Sequence, residues 1–111
     1  MKEKPTKEQV LKALAQELPY LRERFGVVRM ALYGSVARER ATSRSDVDLL
    51  VELSRPLGLE FVALAQHLEE RLGRPVDLAT FETLRRSLRN PRYRNVAERI
   101  AGSLTDVETA A

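Results

Sequence analysis

At 111 residues, 43% hydrophobic and with a formal net charge of +3, the chain has the size and composition of one compact globular domain. That length excludes a large enzyme with a separate substrate domain, and the absence of cysteine excludes disulfides, thiol nucleophiles and thiolate metal sites. The basic residues are mostly arginine, with lysine only at Lys2, Lys4, Lys7 and Lys12; arginine suits phosphate and carboxylate recognition, but a modest excess does not make a nucleic-acid binder.

The first six residues hold no apolar core of the signal-peptide kind, and no apolar run approaches the length of a membrane span. The expected location is therefore the cytoplasm, with no membrane partner. Thr6 followed by Gln9 has the form of a helix capping box, and Val10, Leu11, Leu14, Leu18, Leu21 and Phe25 then recur at helical spacing. Pro19 lies inside that pattern and predicts a kink or a break into two helices. Gly26 ends the segment. Val27 to Tyr33 reads as a strand, with Val28, Met30 and Leu32 on one face and Arg29 and Tyr33 on the other. Gly34-Ser35 is a sharp turn, followed by a short helix from about Val36 to Arg40 and a polar loop to Ser45.

Asp46 to Leu53 is the second strand. Val47, Leu49, Val51 and Leu53 fall on one face, and Asp46, Asp48, Leu50 and Glu52 on the other, which predicts a sheet with helices on one face and a partly open second face. An amphipathic helix from Leu59 to Leu72 ends at Gly73, and Pro75 to Ala79 is a short third strand. Thr80 caps a helix covering Leu84 to Leu88, and Pro91 opens a last helix, Arg92 to Ala101, which Gly102 ends. Thr105 to Ala111 reads as a loose tail, leaving 1–104 as the domain. The predicted class is α+β: alternating helix-strand units on a small mixed sheet of about three strands, whose order the sequence does not reveal.

Chemistry concentrates in Tyr33-Gly34-Ser35 and, after ten intervening residues, Asp46-Val47-Asp48. A glycine after a strand lets the backbone turn and approach a ligand closely. The serine offers a hydroxyl and a backbone N–H at a helix start, a ready site for phosphate oxygens. Asp46 and Asp48 are two apart on a strand, so both carboxylates point to one side and repel unless a cation lies between them; Mg²⁺ prefers such oxygen ligands and bridges carboxylates to phosphates. Asp77, between Val76 and Leu78, faces the same site if the third strand neighbours the second. Three carboxylates with one or two ions suit in-line phosphoryl transfer, with Asp77 helping to accept the proton of an attacking hydroxyl.

Gly34-Ser35-Val36-Ala37-Arg38, then Ser45-Asp46-Val47-Asp48-Leu49-Leu50-Val51, then Val76-Asp77-Leu78, resembles the minimal nucleotidyltransferase branch of the polymerase-beta-type nucleotidyltransferase superfamily. The similarity in layout runs from about Leu11 to Ile100. The resemblance implies that Gly34 and Ser35 contact the triphosphate of ATP or another NTP, that Asp46 and Asp48 bind metal, and that Asp77 is the third carboxylate. In its MntA-like antitoxin branch it also implies a small helical HEPN-type toxin as partner, with a tyrosine hydroxyl of that toxin as the acceptor of AMP. Glu39 departs from the pattern, since relatives often carry glycine there; it either adds negative charge near the phosphates or points outward.

Arg38 and Ser45 join Gly34 and Ser35 as candidate nucleotide contacts. For Arg38 and its neighbour Arg44 the alternative is neutralising the aspartates, and for Ser45 it is capping the strand. His67, the only histidine, reads as lying on a solvated helix face with no carboxylate to orient it, and Glu52 as solvent-facing. Arg85, Arg86, Arg89, Arg92, Arg94 and Arg99 read as a solvated face, with a docking surface for an acidic protein or RNA as the alternative. Against the enzyme reading stands a non-catalytic module that binds nucleotide or scaffolds a helical partner, a view that Glu39 favours.

Overall fold

The computed structural model describes residues 3–108. Its elements run α1 (Lys7–Phe25), β1 (Val27–Tyr33), α2 (Gly34–Ala37), β2 (Val47–Leu53), α3 (Glu60–Leu72), β3 (Val76–Thr80), α4 (Phe81–Arg89), α5 (Arg94–Gly102) and β4 (Thr105–Asp106). Thr6 caps α1 as its sequence predicts, accepting the Gln9 N–H at 3.1 Å. The helix then runs through Pro19 without breaking. Pro19 lies on the exposed side, where a carbonyl deprived of its usual helical partner is open to water.

The strands form one mixed sheet in the order β3-β2-β1-β4. β1 is antiparallel to β2 and β4, while β2 and β3 run parallel, joined by the crossover helix α3. The fourth strand comes from the segment expected as a loose tail. Thr105 pairs with Leu32 and Asp106 with Ala31, the Val107 N–H donates to the Met30 carbonyl at 2.9 Å, and Val107 is buried. Arg29 pairs with Asp106 at 3.0 Å. These contacts cover the edge of β1 that three strands would leave open. Residues 109–111 of the expected tail lie outside the described residues.

Both faces of the sheet carry helices, not one. On the first, Met30, Leu32, Val47, Leu49 and Val51 pack with Leu14 and Leu21 of α1 and Leu64 and Leu68 of α3. On the second, Ala31 and Leu50 pack with Phe81 and Leu84 of α4 and Ala97 of α5. The one apolar residue on the polar side of β2, Leu50, is thus the seat of a smaller second core. Leu50 is nearly fully buried, whereas Asp48, two residues away on the same face, is half-buried.

β1 also breaks the simple alternation. Val27 pairs with Leu53 and Arg29 with Glu52, so Val28 is an extra, bulged residue. Val27 enters the first core in its place, and Val28 is 54% exposed. Among the described residues, no helix is long and apolar enough to cross a membrane.

Candidate active site

The register across three strands builds the site. Tyr33 of β1 lies opposite Asp48 of β2, and Asp48 opposite Asp77 of β3. The three side chains form one row on the second face. Asp46 stands exposed just before β2, two residues from Asp48. The sequence-predicted carboxylates are therefore neighbours, because β3 adds in parallel beside β2.

Gly34 follows Tyr33 directly and adopts φ +75°, a left-handed conformation that glycine takes without strain. A Cβ at this position would lie 3.0 Å from Cγ and 3.3 Å from Cβ of Asp48, and would collide with the carboxylate oxygen itself. The turn is pressed against Asp48. Ser35, the second residue of α2, is half-buried.

α2 ends in a tight double bond pattern. The Arg40 N–H donates to the Ser35 carbonyl at 2.8 Å and the Glu39 N–H to the Val36 carbonyl at 3.1 Å. This is a Schellman cap, and its left-handed position falls on Glu39, at φ 58°. The preference for glycine at this position thus has a backbone cause. The Glu39 side chain is exposed beside Lys4, Thr6 and Lys7, not in the carboxylate row.

The electrostatics follow from crowding. Burial pushes the Asp48 carboxyl up to about 6, with Asp77 and Asp46 adding to the rise and Arg38 opposing it. Burial likewise raises the Tyr33 hydroxyl to about 12, reinforced by Asp77 and Asp48. Among the described residues no three carboxylate, histidine or cysteine groups are drawn together as a ready metal cluster; the aspartates stand side by side. Their donor set, all carboxylate oxygens, is nevertheless the one that hard divalent cations take.

Of the remaining predicted residues, Arg38 is exposed yet close enough to act on Asp48. Ser45 is held within its own loop: its hydroxyl accepts the Thr42 N–H at 2.8 Å and its N–H donates to the Thr42 carbonyl at 3.1 Å. Arg74 went unnoticed in the sequence. It donates to the carbonyls of Ser45 at 3.0 Å, Ser43 at 3.4 Å and Glu3 at 2.9 Å, and so fixes the loop that delivers Asp46. No local pattern signals a contact 29 residues back along the chain.

His67 does have a carboxylate partner, contrary to expectation. Its Nε2 lies 2.7 Å from Glu17 Oε1, and its ring packs on Tyr20 at 4.8 Å between centroids. The cluster ties α3 to α1 on the first face and is no part of the carboxylate row. Glu52 is engaged as well, by Arg85 at 3.0 and 3.2 Å, and Arg86 pairs with Glu82 at 2.8 Å.

Comparison with known proteins shows the family and the fold. The family model described as nucleotidyltransferase domain matches residues 14–101. Protein adenylyltransferase MntA of Thermococcus cleftensis is 37% identical over 92 residues, covering 82% of this chain and 93% of that protein. Protein MJ1379 of Methanocaldococcus jannaschii is 34% identical over 89 residues, covering 78% and 85%. A solved structure described as a minimal nucleotidyltransferase superposes with a TM-score of 0.66 at 31% identity, covering 91% of this chain and 95% of that one. A toxin-antitoxin structure with AMP-PNP shares the fold, with a TM-score of 0.64 at 20% identity over 90% of this chain and 73% of that one.

Proposed function

The chain belongs to the nucleotidyltransferase-domain family and is a nucleotidyltransferase, and from that premise we propose that it moves AMP from ATP to a hydroxyl group on a partner protein. The observation that carries this reading is the Tyr33–Asp48–Asp77 row with Gly34 seated on Asp48. Gly34 and Ser35 hold the triphosphate at the start of α2, and Arg38 adds positive charge at the same end. Asp46, Asp48 and Asp77 would hold one or two Mg²⁺ ions. Bound there, Mg²⁺ supplies the positive charge that offsets the carboxylates and the charge developing on the phosphate oxygens.

The acceptor oxygen forms a bond to the α-phosphorus as the bond from that phosphorus to the bridging β-oxygen breaks, and pyrophosphate leaves. Asp77, the outermost and most exposed member of the row, takes the acceptor's proton. Its exposure on an edge strand suits an acceptor arriving from another molecule.

The partner we favour is a small helical HEPN-type toxin, which makes this chain the antitoxin and a toxin tyrosine hydroxyl the acceptor. Support comes from the 37% identity to an MntA protein adenylyltransferase and from the shared fold with a toxin-antitoxin pair of MntA and HepT. The reaction belongs to the cytoplasm, where ATP is available. The test is transfer of α-labelled AMP from ATP with Mg²⁺ to a HEPN-type protein. Asp46→Asn/Asp48→Asn should lower labelling about a hundredfold or more, and undiminished labelling would sink the mechanism. The side-by-side carboxylates leave one competitor, a non-catalytic module that silences its partner by binding. Under that reading the same double variant still protects against the toxin.

A further inference from the structure

The positive charge of the chain is gathered on α4, α5 and the turn between them. Residues 81–104 carry six arginines against two carboxylates, Glu82 and Glu98, an excess larger than the +3 of the whole chain. Arg85 and Arg86 are paired, with Glu52 and Glu82. Arg89, Arg92 and Arg94 form no ion pair among the described residues, and every residue from Arg89 to Val96 is exposed. The corner is nevertheless firmly built. The Asn90 carbonyl accepts the N–H groups of Tyr93 at 3.0 Å and Arg94 at 2.9 Å, and its side-chain Oδ1 accepts that of Arg92 at 3.0 Å. Pro91 has its φ fixed by its ring, and the Arg94 Nε–H donates to the Leu88 carbonyl at 3.3 Å. The electrostatics within the chain oppose this arrangement. Arg92 and Arg94 stand at the start of α5, whose first turn holds no acidic residue, and the positive end of a helix disfavours cations.

We infer that this corner is the docking site for an acidic face of the protein that accepts the nucleotidyl group. The inference rests on the nucleotidyl-transfer reading for the identity of that protein, and adds where and by what charge it is held. Three arginines with no carboxylate of their own, two of them at a helix end that repels them, gain most from an anionic surface. Their fixed backbone lowers the ordering cost of binding. Composition favours a protein over RNA. Tyr93 and Val96, 49% and 55% exposed, put an apolar centre inside the arginine rim, and arginine with tyrosine and no lysine is the make-up of protein interfaces. The one exposed aromatic of the corner has the Arg92 guanidinium 5.6 Å from its ring centroid, so it offers no platform for a run of stacked bases. Tyr93 and Val96 also line a cavity of about 210 Å³ together with Tyr33, so a protein held on the corner stands beside the carboxylate row.

The test titrates the HEPN-type protein of the transfer assay into the chain without ATP, by calorimetry. The variant is Arg89→Glu/Arg92→Glu/Arg94→Glu, three exposed positions outside the carboxylate row. It should bind the HEPN-type protein about thirtyfold more weakly than the wild type does, and bind ATP with Mg²⁺ equally well. Raising the salt from about 50 to about 300 mM should weaken the wild-type complex roughly tenfold and leave that of the variant little changed. On the wild type, the amide signals of residues 89–96 should shift as the HEPN-type protein is added, a readout that needs no variant to fold. Affinity unchanged in the variant, or amides of 89–96 that do not shift, overturns the inference and leaves nucleotidyl transfer standing. A single-stranded oligoribonucleotide that binds the wild type more tightly than the HEPN-type protein does, and loses that affinity in the variant, assigns the corner to RNA and overturns it equally. Binding at the corner with no AMP label on the bound protein removes the transfer reading and leaves the docking surface standing. A wild type that does not bind the HEPN-type protein removes the inference, and the labelling assay then decides the transfer reading by itself.

Discussion

Glu39 occupies a backbone position that costs an ordinary residue about 1 kcal/mol relative to glycine. Glu39→Gly should therefore raise stability by about 1 kcal/mol in chemical denaturation; a lower midpoint would mean that its side chain contributes more than the strain takes away. At Gly34 the sign reverses. Gly34→Ala places a methyl group into the Asp48 carboxylate while forcing alanine to φ +75°, and it should abolish ATP binding and cost on the order of 2 kcal/mol. Asp48 itself has a pH signature. Its carboxyl is raised in the folded chain to about 6, above its ordinary value of 3.8, so the folded state holds the proton longer. In the metal-free protein the contribution of Asp48 to stability is therefore fully present below pH 3.8 and is lost as the pH rises through about 6. Because the group is partly solvated, screening limits the effect to on the order of 1 kcal/mol. Asp48→Asn should flatten that decline in a pH series of unfolding curves and be the more stable protein at neutral pH.

At the scale of elements, the loop between α2 and β2 depends on a residue from the far side of α3. Arg74→Ala should release the carbonyls of Ser43 and Ser45, speeding amide exchange over residues 42–46 and raising the KM for ATP, with global stability changed by less than about 1 kcal/mol. KM and loop exchange unchanged from wild type would remove Arg74 from this role. The contrast with Asp46 and Asp48 shows what was legible in the sequence. Two carboxylates two residues apart on a strand declare a common side, because strand periodicity is a local property of the chain. Tyr33-Gly34-Ser35 declares a turn for the same reason. Whether Asp77 joins them depends on β3 lying parallel beside β2, a tertiary fact with no local signal. The pairing of Thr105 and Asp106 with β1 was invisible because two residues carry no period. His67 and Glu17 are likewise 50 residues apart, so neither helix alone reveals the other as partner.

For the whole molecule, the unequal cores on the two faces set where it opens. The first unites α1, α3 and most of the sheet, whereas the second rests on Ala31, Leu50, Phe81, Leu84 and Ala97. Native-state hydrogen exchange should show the amides of α4 and α5 opening at lower free energy than those of α1, β1 and β2. Uniform protection across both halves would contradict this division. The half that opens more readily is the one that borders the carboxylate row, so bound nucleotide should slow exchange in α5 more than in α1.

The bulge in β1 leaves the chain with one residue to spare. Val28 alone has no opposite number in β2, and the residues on either side of it, Val27 and Arg29, face opposite sides of the sheet. Excising Val28 would close the ladder into a regular one and leave every other side chain of the strand on its present face. Excising Ala31 would invert one part of the strand against the other, turning either Met30 out of the core or Tyr33 away from Asp48. The distance in residues from α1 to the phosphate turn is thus elastic at one place only within β1, and a deletion series along the strand should find its single tolerant position there.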